Sequence, residues 1–163
     1  MSALFCAGAK LMPTDHAKIL DIIGDAVIVA DARGNIAYWN PAATRLFGFT
    51  ESEALGQSLN LIMPERLRQR HNAGFAKSME TGTTRYGSEV LKVPATHKLG
   101  KPLSIAFTVA MLFDGDEASG VVAVIRDDTA RFQEERELKR RLAAAEAKHP
   151  SAQATISSDS VPQ

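Results

Sequence analysis

The chain has 163 residues, with Lys plus Arg equal to Asp plus Glu at 19 each, an apolar fraction of 45% and a charged fraction of 23%. Those values fit an ordinary folded domain and exclude collagen-like, wholly disordered and membrane classes. A zero net charge supplies no long-range field for phosphate backbones or acidic lipids, so neither nucleic acid nor a membrane is expected as a partner.

The one cysteine, Cys6, excludes an internal disulfide framework and a thiolate metal cluster, as suits a reducing compartment. The start lacks a basic leader pattern, and no later apolar run approaches the roughly 20 residues needed to cross a bilayer. The expected location is cytoplasmic.

In chain order, Pro13–Thr14 opens a helix that carries Ile19, Ile22 and Ile23 on one face and stops at Gly24. Residues 25–30 and 35–39 are β-prone runs joined by the turn-forming sequence 31–34, which predicts a hairpin. Asn40 and Pro41 form an N-cap and first-turn pair for a short helix closed by Gly48. Thr50 and Glu53 then spell a capping box, and Gly56 ends the turn that follows. A longer helix runs from Pro64 to about Glu80 and stops at Thr81–Gly82.

The second half is β-rich. Leu103, Ile105, Phe107, Val109, Met111 and Phe113 alternate with smaller residues along one long strand and turn their large side chains to the core. Ser88–Pro94 is a shorter strand before it, and Val121–Arg126 follows it after a turn over 114–120. Two strands, a run of helices and three more strands predict an α+β fold, a five-stranded antiparallel sheet with its helices on one side.

Arg131 to Ala147 is charged and alanine-rich with Leu138, Leu142 and Ala145 on one stripe, an amphipathic helix with coiled-coil-like spacing. The expected division is a flexible start over 1–12, a flanking helix over 13–24, a core domain over 25–128, the amphipathic helix over 129–148 and a disordered tail over 149–163.

This order of elements, with Asn40-Pro-Ala-Ala43 and with Arg126-Asp-Asp-Thr129 leading into a helix, resembles the PAS superfamily across roughly residues 14–131. A closer likeness lies in Leu61-Ile-Met-Pro-Glu65 followed by Arg68-Gln-Arg-His71, which resembles the haem-binding PAS domains of FixL-type gas sensors. That resemblance implies haem b with His71 as the metal ligand.

The residues agree in part. Leu67, His71 and Phe75 are spaced by four and share a helical face, Gly74 lacks a side chain one turn on, and a neutral imidazole among apolar groups is a suitable iron ligand. A core histidine bonded to backbone is the competing reading, and the motif shifts the choice to haem. The resemblance also sets Leu91 at the position of a distal arginine, with Phe107, Val109 and Ala123 beside it, and sets Arg85 and Lys77 as partners for the propionates.

Without the distal cation, a pocket favouring carbon monoxide or nitric oxide over dioxygen is expected, with Tyr86, Met111 or no residue as a sixth ligand. Flavin ranks below haem, since no Gly-x-Asn-Cys motif is present and Trp39 reads as packing. A cofactor-free interaction module is the alternative function, and a haem enzyme activating oxygen or peroxide a minor one, disfavoured by the apolar distal wall. The expected behaviour is that of a homodimeric sensor of a gas or redox state that signals to a separate protein effector, with no catalytic residue of its own.

Overall fold

Alternation of large and small side chains along residues 102–114 creates a long strand with one apolar face. The computed structural model describes residues 16–84, 86 and 89–148. In order these form α1 (His16–Ile22), β1 (Ala26–Asp31), β2 (Ile36–Trp39), α2 (Pro41–Phe47), α3 (Glu51–Ala54), a 3-10 turn (Leu59–Ile62), α4 (Glu65–Thr81), β3 (Leu91–Thr96), β4 (Pro102–Asp114), β5 (Glu117–Asp127) and α5 (Thr129–Lys148). The strands make one antiparallel sheet in the order β2-β1-β5-β4-β3, so the first strand pairs with the last. The α+β class and the five strands are as expected. The expected start and tail, with Cys6, Arg85 and Ser88, lie outside the described residues.

The local signals for α2 and α3 act as their chemistry requires. Asn40 Oδ1 accepts the Ala43 N–H, Pro41 occupies the first turn, and Gly48 closes α2 in the left-handed region at φ 80°. Thr50 and Glu53 complete a reciprocal capping box. Trp39, Phe47, Ile28 and Ile36 fill the core between these helices and the sheet, with the Trp39 and Phe47 ring centroids 5.6 Å apart. The Trp39 indole donates to Thr44 Oγ1 at 3.0 Å.

Asn40 is the only buried polar residue among those described, and its amide is fully used. Oδ1 accepts from the Val27 and Ala43 N–H groups, each at 2.9 Å, while Nδ2 donates to the Leu20 and Asp25 carbonyls at 3.0 and 3.1 Å. One side chain therefore ties together the end of α1, the start of β1 and the start of α2.

The start of β5, both ends of β3, which begins at Leu91 rather than Ser88, and the placing of Phe113 differ from the sequence reading. β5 begins at Glu117 rather than Val121, because Gly115, at φ 60°, and Asp116 form a two-residue hairpin turn and the polar residues after it pair with β4. β3 runs past Pro94 to Thr96, since it is an edge strand and a missing N–H there costs no ladder bond. Phe113 lies beyond a register shift at Leu112 and is 53% exposed against Gly82, so it leaves the core row.

His97 is half-buried against Gly48, where its Nδ1 accepts the Leu99 N–H at 3.0 Å. The same turn between β3 and β4 is held by the Lys98 N–H on the Phe47 carbonyl at 2.8 Å and by an ion pair of Lys98 with Glu53. The Lys98 hydrogen bond, with help from Thr50, holds the Glu53 carboxyl down to about 2.

The described residues fall into two compact units, one ending at Asp127 and one beginning at Asp128. The second is α5, whose exposed surface is laced with pairs such as Lys139–Glu135 at 2.8 Å and Arg140–Glu137 at 2.9 Å.

Gly120 is buried in β5, and a Cβ there would lie 2.2 Å from the Ala30 carbonyl oxygen of β1. Gly120→Ala should therefore push the paired strands apart and cost about 2 kcal/mol or more. Urea unfolding will read this as a lowered midpoint at an unchanged slope, and a wild-type midpoint would refute the close approach.

Candidate functional site

Residues paired across an antiparallel ladder point to the same side, so the register assigns each strand residue to a face. Leu91 is opposite Phe107, and Phe107 opposite Ile125; Val109 is opposite Ala123, and Ala123 opposite Ile28; Met111 is opposite Val121. Leu91, Phe107, Val109 and Ala123 thus share the face that also carries the core residues Ile28 and Ile125. Lys92, the neighbour of Leu91, is exposed on the other side, as the alternation requires.

This face is covered unevenly. Toward β1 and β2 it is sealed: Ala26, Ile28, Ala30, Ile36 and Trp39 are all buried. Toward β3, β4 and β5, Ala95, Ile105 and Ile125 are buried too, but Leu91, Phe107, Val109, Met111, Val121 and Ala123 are only half-buried. These six side chains form an apolar wall without a charge or a hydrogen-bond donor.

α4 packs against β5, yet none of its 17 residues is fully buried. Leu67, His71, Phe75 and Met79 are half-buried along one stripe, and most of the rest of the helix is exposed. A 17-residue helix normally seals its apolar stripe against a core. Here both the stripe and the strand wall retain apolar surface.

The His71 and Phe75 rings lie 6.1 Å apart, centroid to centroid, and line a cleft of about 370 Å³. Its other walls are Ala32, Arg33 and Gly34 from the β1–β2 turn, Ser58 and Leu59 from the 3-10 turn, and Asn72 and Ala76 from α4. Phe75 rests on the bare backbone of Gly34, 3.6 Å from where a Cβ would stand. The residues lining this cleft include none from β3, β4 or β5, so His71 and the strand wall flank different parts of α4's surroundings.

Burial lowers the His71 pKa below its ordinary value of 6.5, with a smaller opposing effect from Asn72, whose Oδ1 lies 3.4 Å from His71 Nδ1. The ring is neutral at pH 7. If Nδ1 carries the proton toward Asn72, Nε2 keeps a free lone pair.

The other sequence-derived positions are more dispersed. Lys77 is exposed, and its carbonyl accepts the Thr81 hydroxyl at 2.9 Å. Tyr86 is 40% exposed in the connection between α4 and β3. Gly74 is also exposed, with nothing within 4 Å of an added Cβ, so it faces away from the half-buried stripe and makes no room there. Three-residue spacing from His71 is 300° of rotation, enough to carry a residue off the face that four-residue spacing defines.

Sequence reasoning missed Asn60. Its Oδ1 is buried without a hydrogen-bond partner among the described residues, on the 3-10 turn that packs against β3. A buried acceptor of this kind costs about 1–3 kcal/mol unless a donor from a bound molecule or water meets it. The signal was one polar residue inside the apolar run Leu59-Asn60-Leu61-Ile62-Met63.

Since the folded-state pKa of His71 is depressed, the unfolded chain binds more protons just below pH 6.5. Stability is therefore full above that pH and falls as the pH drops from about 6.5 through the folded value. An NMR titration should place the His71 midpoint below 6.5, and His71→Gln should flatten this part of the stability profile; a midpoint at or above 6.5 would contradict the burial.

Residues 14–127 match the family described as PAS fold. Over 64 residues, 39% of this chain, the sequence is 46% identical to sensor protein FixL of Bradyrhizobium diazoefficiens, of which this chain spans 13%. The PAS domain of a Colwellia psychrerythraea protein superposes with a TM-score of 0.62 at 23% identity, covering 71% of this chain and 95% of that one. An RNA-binding light-oxygen-voltage receptor superposes with a TM-score of 0.63 at 16% identity, covering 88% of this chain and 42% of that one. With a matching family description over most of its length and the strand order and helix placement seen here, the chain belongs to the PAS family.

Proposed function

We propose that this domain is a haem-binding sensor of a diatomic gas or of redox state, which signals to a separate protein. The observation that carries the reading is the half-covered pair of apolar surfaces, the strand wall and the α4 stripe, with a neutral histidine in the middle of that stripe. Similarity to a FixL sensor over part of the chain supports the same choice.

The residues present suit a flat, largely apolar group. His71 offers an uncharged ring nitrogen, while Leu67 and Phe75 flank it one turn to either side and limit access of water. Leu91, Phe107, Val109 and Ala123, which lie outside the cleft lined by His71, would enclose the apolar part of a group that reaches past that cleft to the strand wall, and Lys77 with Arg85 would answer its carboxylates. When bound, haem supplies an iron centre that takes up a diatomic ligand or changes oxidation state.

The wall contributes no donor that could stabilise partial negative charge on a bound gas. A charge-assisted hydrogen bond is worth about 1.5–3 kcal/mol, so its lack weakens dioxygen binding roughly tenfold to hundredfold and leaves carbon monoxide little changed. Signal leaves along β5, whose last residue, Asp127, is followed within two residues by α5.

A second reading, a cofactor-free homodimerisation module in the same cytoplasmic setting, draws on the opposite sheet face and on α5. Ala106, Thr108, Ala110, Val122 and Val124 share that face by register, and Val124 is 41% exposed. On α5, Leu138 and Leu142 are 63% and 61% exposed. Among the described residues no helix is long and apolar enough to cross a membrane. Noncovalent flavin and a haem enzyme remain lesser readings.

Protein produced with a haem supply should show a strong Soret band that His71→Ala abolishes, and Leu91→Arg should raise dioxygen affinity roughly tenfold to hundredfold with little change for carbon monoxide. Absence of a Soret band from the wild type would leave the dimerisation module as the better reading. Independently, Leu138→Glu with Leu142→Glu should convert dimer to monomer in sedimentation runs while far-ultraviolet circular dichroism still reports a folded sheet; an unchanged oligomer would remove α5 from the interface.

A further inference from the structure

We propose that the Asp25–Arg126 ion pair is a latch through which the outgoing end of β5 controls the docking of α1. This goes beyond the sensor reading and stands whatever ligand the domain takes.

Arg126, one residue before the end of β5, donates from Nη2 and Nε to the two carboxylate oxygens of Asp25, at 2.6 and 3.1 Å. Asp25 lies just ahead of β1, whose first residue, Ala26, pairs with Ile125. The backbone carbonyl of Asp25 is held by Asn40 Nδ2, and the same nitrogen holds the Leu20 carbonyl in the last turn of α1. A path of three contacts thus leads from β5 to α1: Arg126 to the Asp25 carboxylate, the Asp25 carbonyl to Asn40, and Asn40 to Leu20.

α1 depends on such ties. It has seven residues, none buried, and Ile22 is 82% exposed. A helix this short does not persist alone in water. Besides Asn40, it is held by Asp21, whose carboxylate accepts the Tyr38 hydroxyl at 2.9 Å.

The pair itself is suited to switching rather than to holding the fold. The Arg126 side chain is 73% exposed and that of Asp25 30%, so water and salt screen the interaction and its rupture leaves no buried charge. The contacts of Asn40 with the Val27 and Ala43 N–H groups are buried and persist, whereas those with the Leu20 and Asp25 carbonyls are only part-buried. Displacement of Arg126 would then free the Asp25 segment to shift its carbonyl relative to Asn40 and loosen the hold on Leu20, while the sheet stays paired.

The test uses the full chain without added ligand, so its outcome is separate from that of the haem experiment. Amide hydrogen exchange is followed in Arg126→Gln, in Asp25→Asn and in the charge-swapped pair Asp25→Arg with Arg126→Asp. Each single variant should speed exchange at Ile23, whose N–H bonds the Ile19 carbonyl at 3.2 Å, by roughly two- to fivefold, while amides of β3 and β4 keep their protection. The swapped pair should restore protection. Unchanged exchange at Ile23 in the single variants, a uniform loss across the whole sheet, or no recovery in the swap would each overturn the proposal.

Discussion

Asn40 occupies a fully buried position where both lone-pair directions of its carbonyl and both hydrogens of its amide are used. A buried amide is tolerable only when satisfied in this way, and when it is, three backbone segments lose their freedom together. The angle at which α2 leaves the sheet, the seating of Trp39 and Phe47 beneath it, and the location of the chain ahead of β1 all depend on this one side chain. Its partners leave no room for a substitute: aspartate lacks the two donors, and leucine would strand the Val27 N–H.

Beyond that fixed end, Ala95, Ile105 and Ile125 are still buried, while the strand wall beside them is half-covered. The helices next to Asn40 are short, capped at defined residues and sealed against β1 and β2. α4 is longer, starts at Pro64 without a side-chain cap and seals nothing completely. Apolar surface left half-covered on α4 and on the strand wall is a standing free-energy cost. The same feature makes α4 easier to move than α2, since little core packing must be broken for it to shift.

β5 pairs with both β1 and β4 and is the central strand of the sheet. Its outgoing end carries Arg126, tied to Asp25, and the chain continues into α5, a helix of 20 residues whose leucines are exposed. A helix of this length with surface ion pairs is marginal by itself and gains stability from a partner surface. Rigid and loose elements thus alternate along the chain.

Caps, turns and strand alternation were legible in the residues alone because each is local: the Asn40–Pro41 start, the Thr50–Glu53 box, the Gly48 and Gly82 stops and the period-two pattern of β4 need only a few neighbours to act. The motif around His71 was legible only as a resemblance, and strand alternation set the side of each strand on which Leu91, Phe107, Val109 and Ala123 fall, but their union into one face came from the pairing register. What only the tertiary structure decided was which local elements meet. Pro94 is acceptable in β3 because that strand lies at an edge, His97 is half-buried because Gly48 leaves it space, and Gly74 is exposed because α4 presents another stripe to the sheet. The hydrogen bonds of Asn40 and the reach of Arg126 to Asp25 join residues up to 101 positions apart, and no local pattern records such a contact, because its energy exists only once the chain has closed.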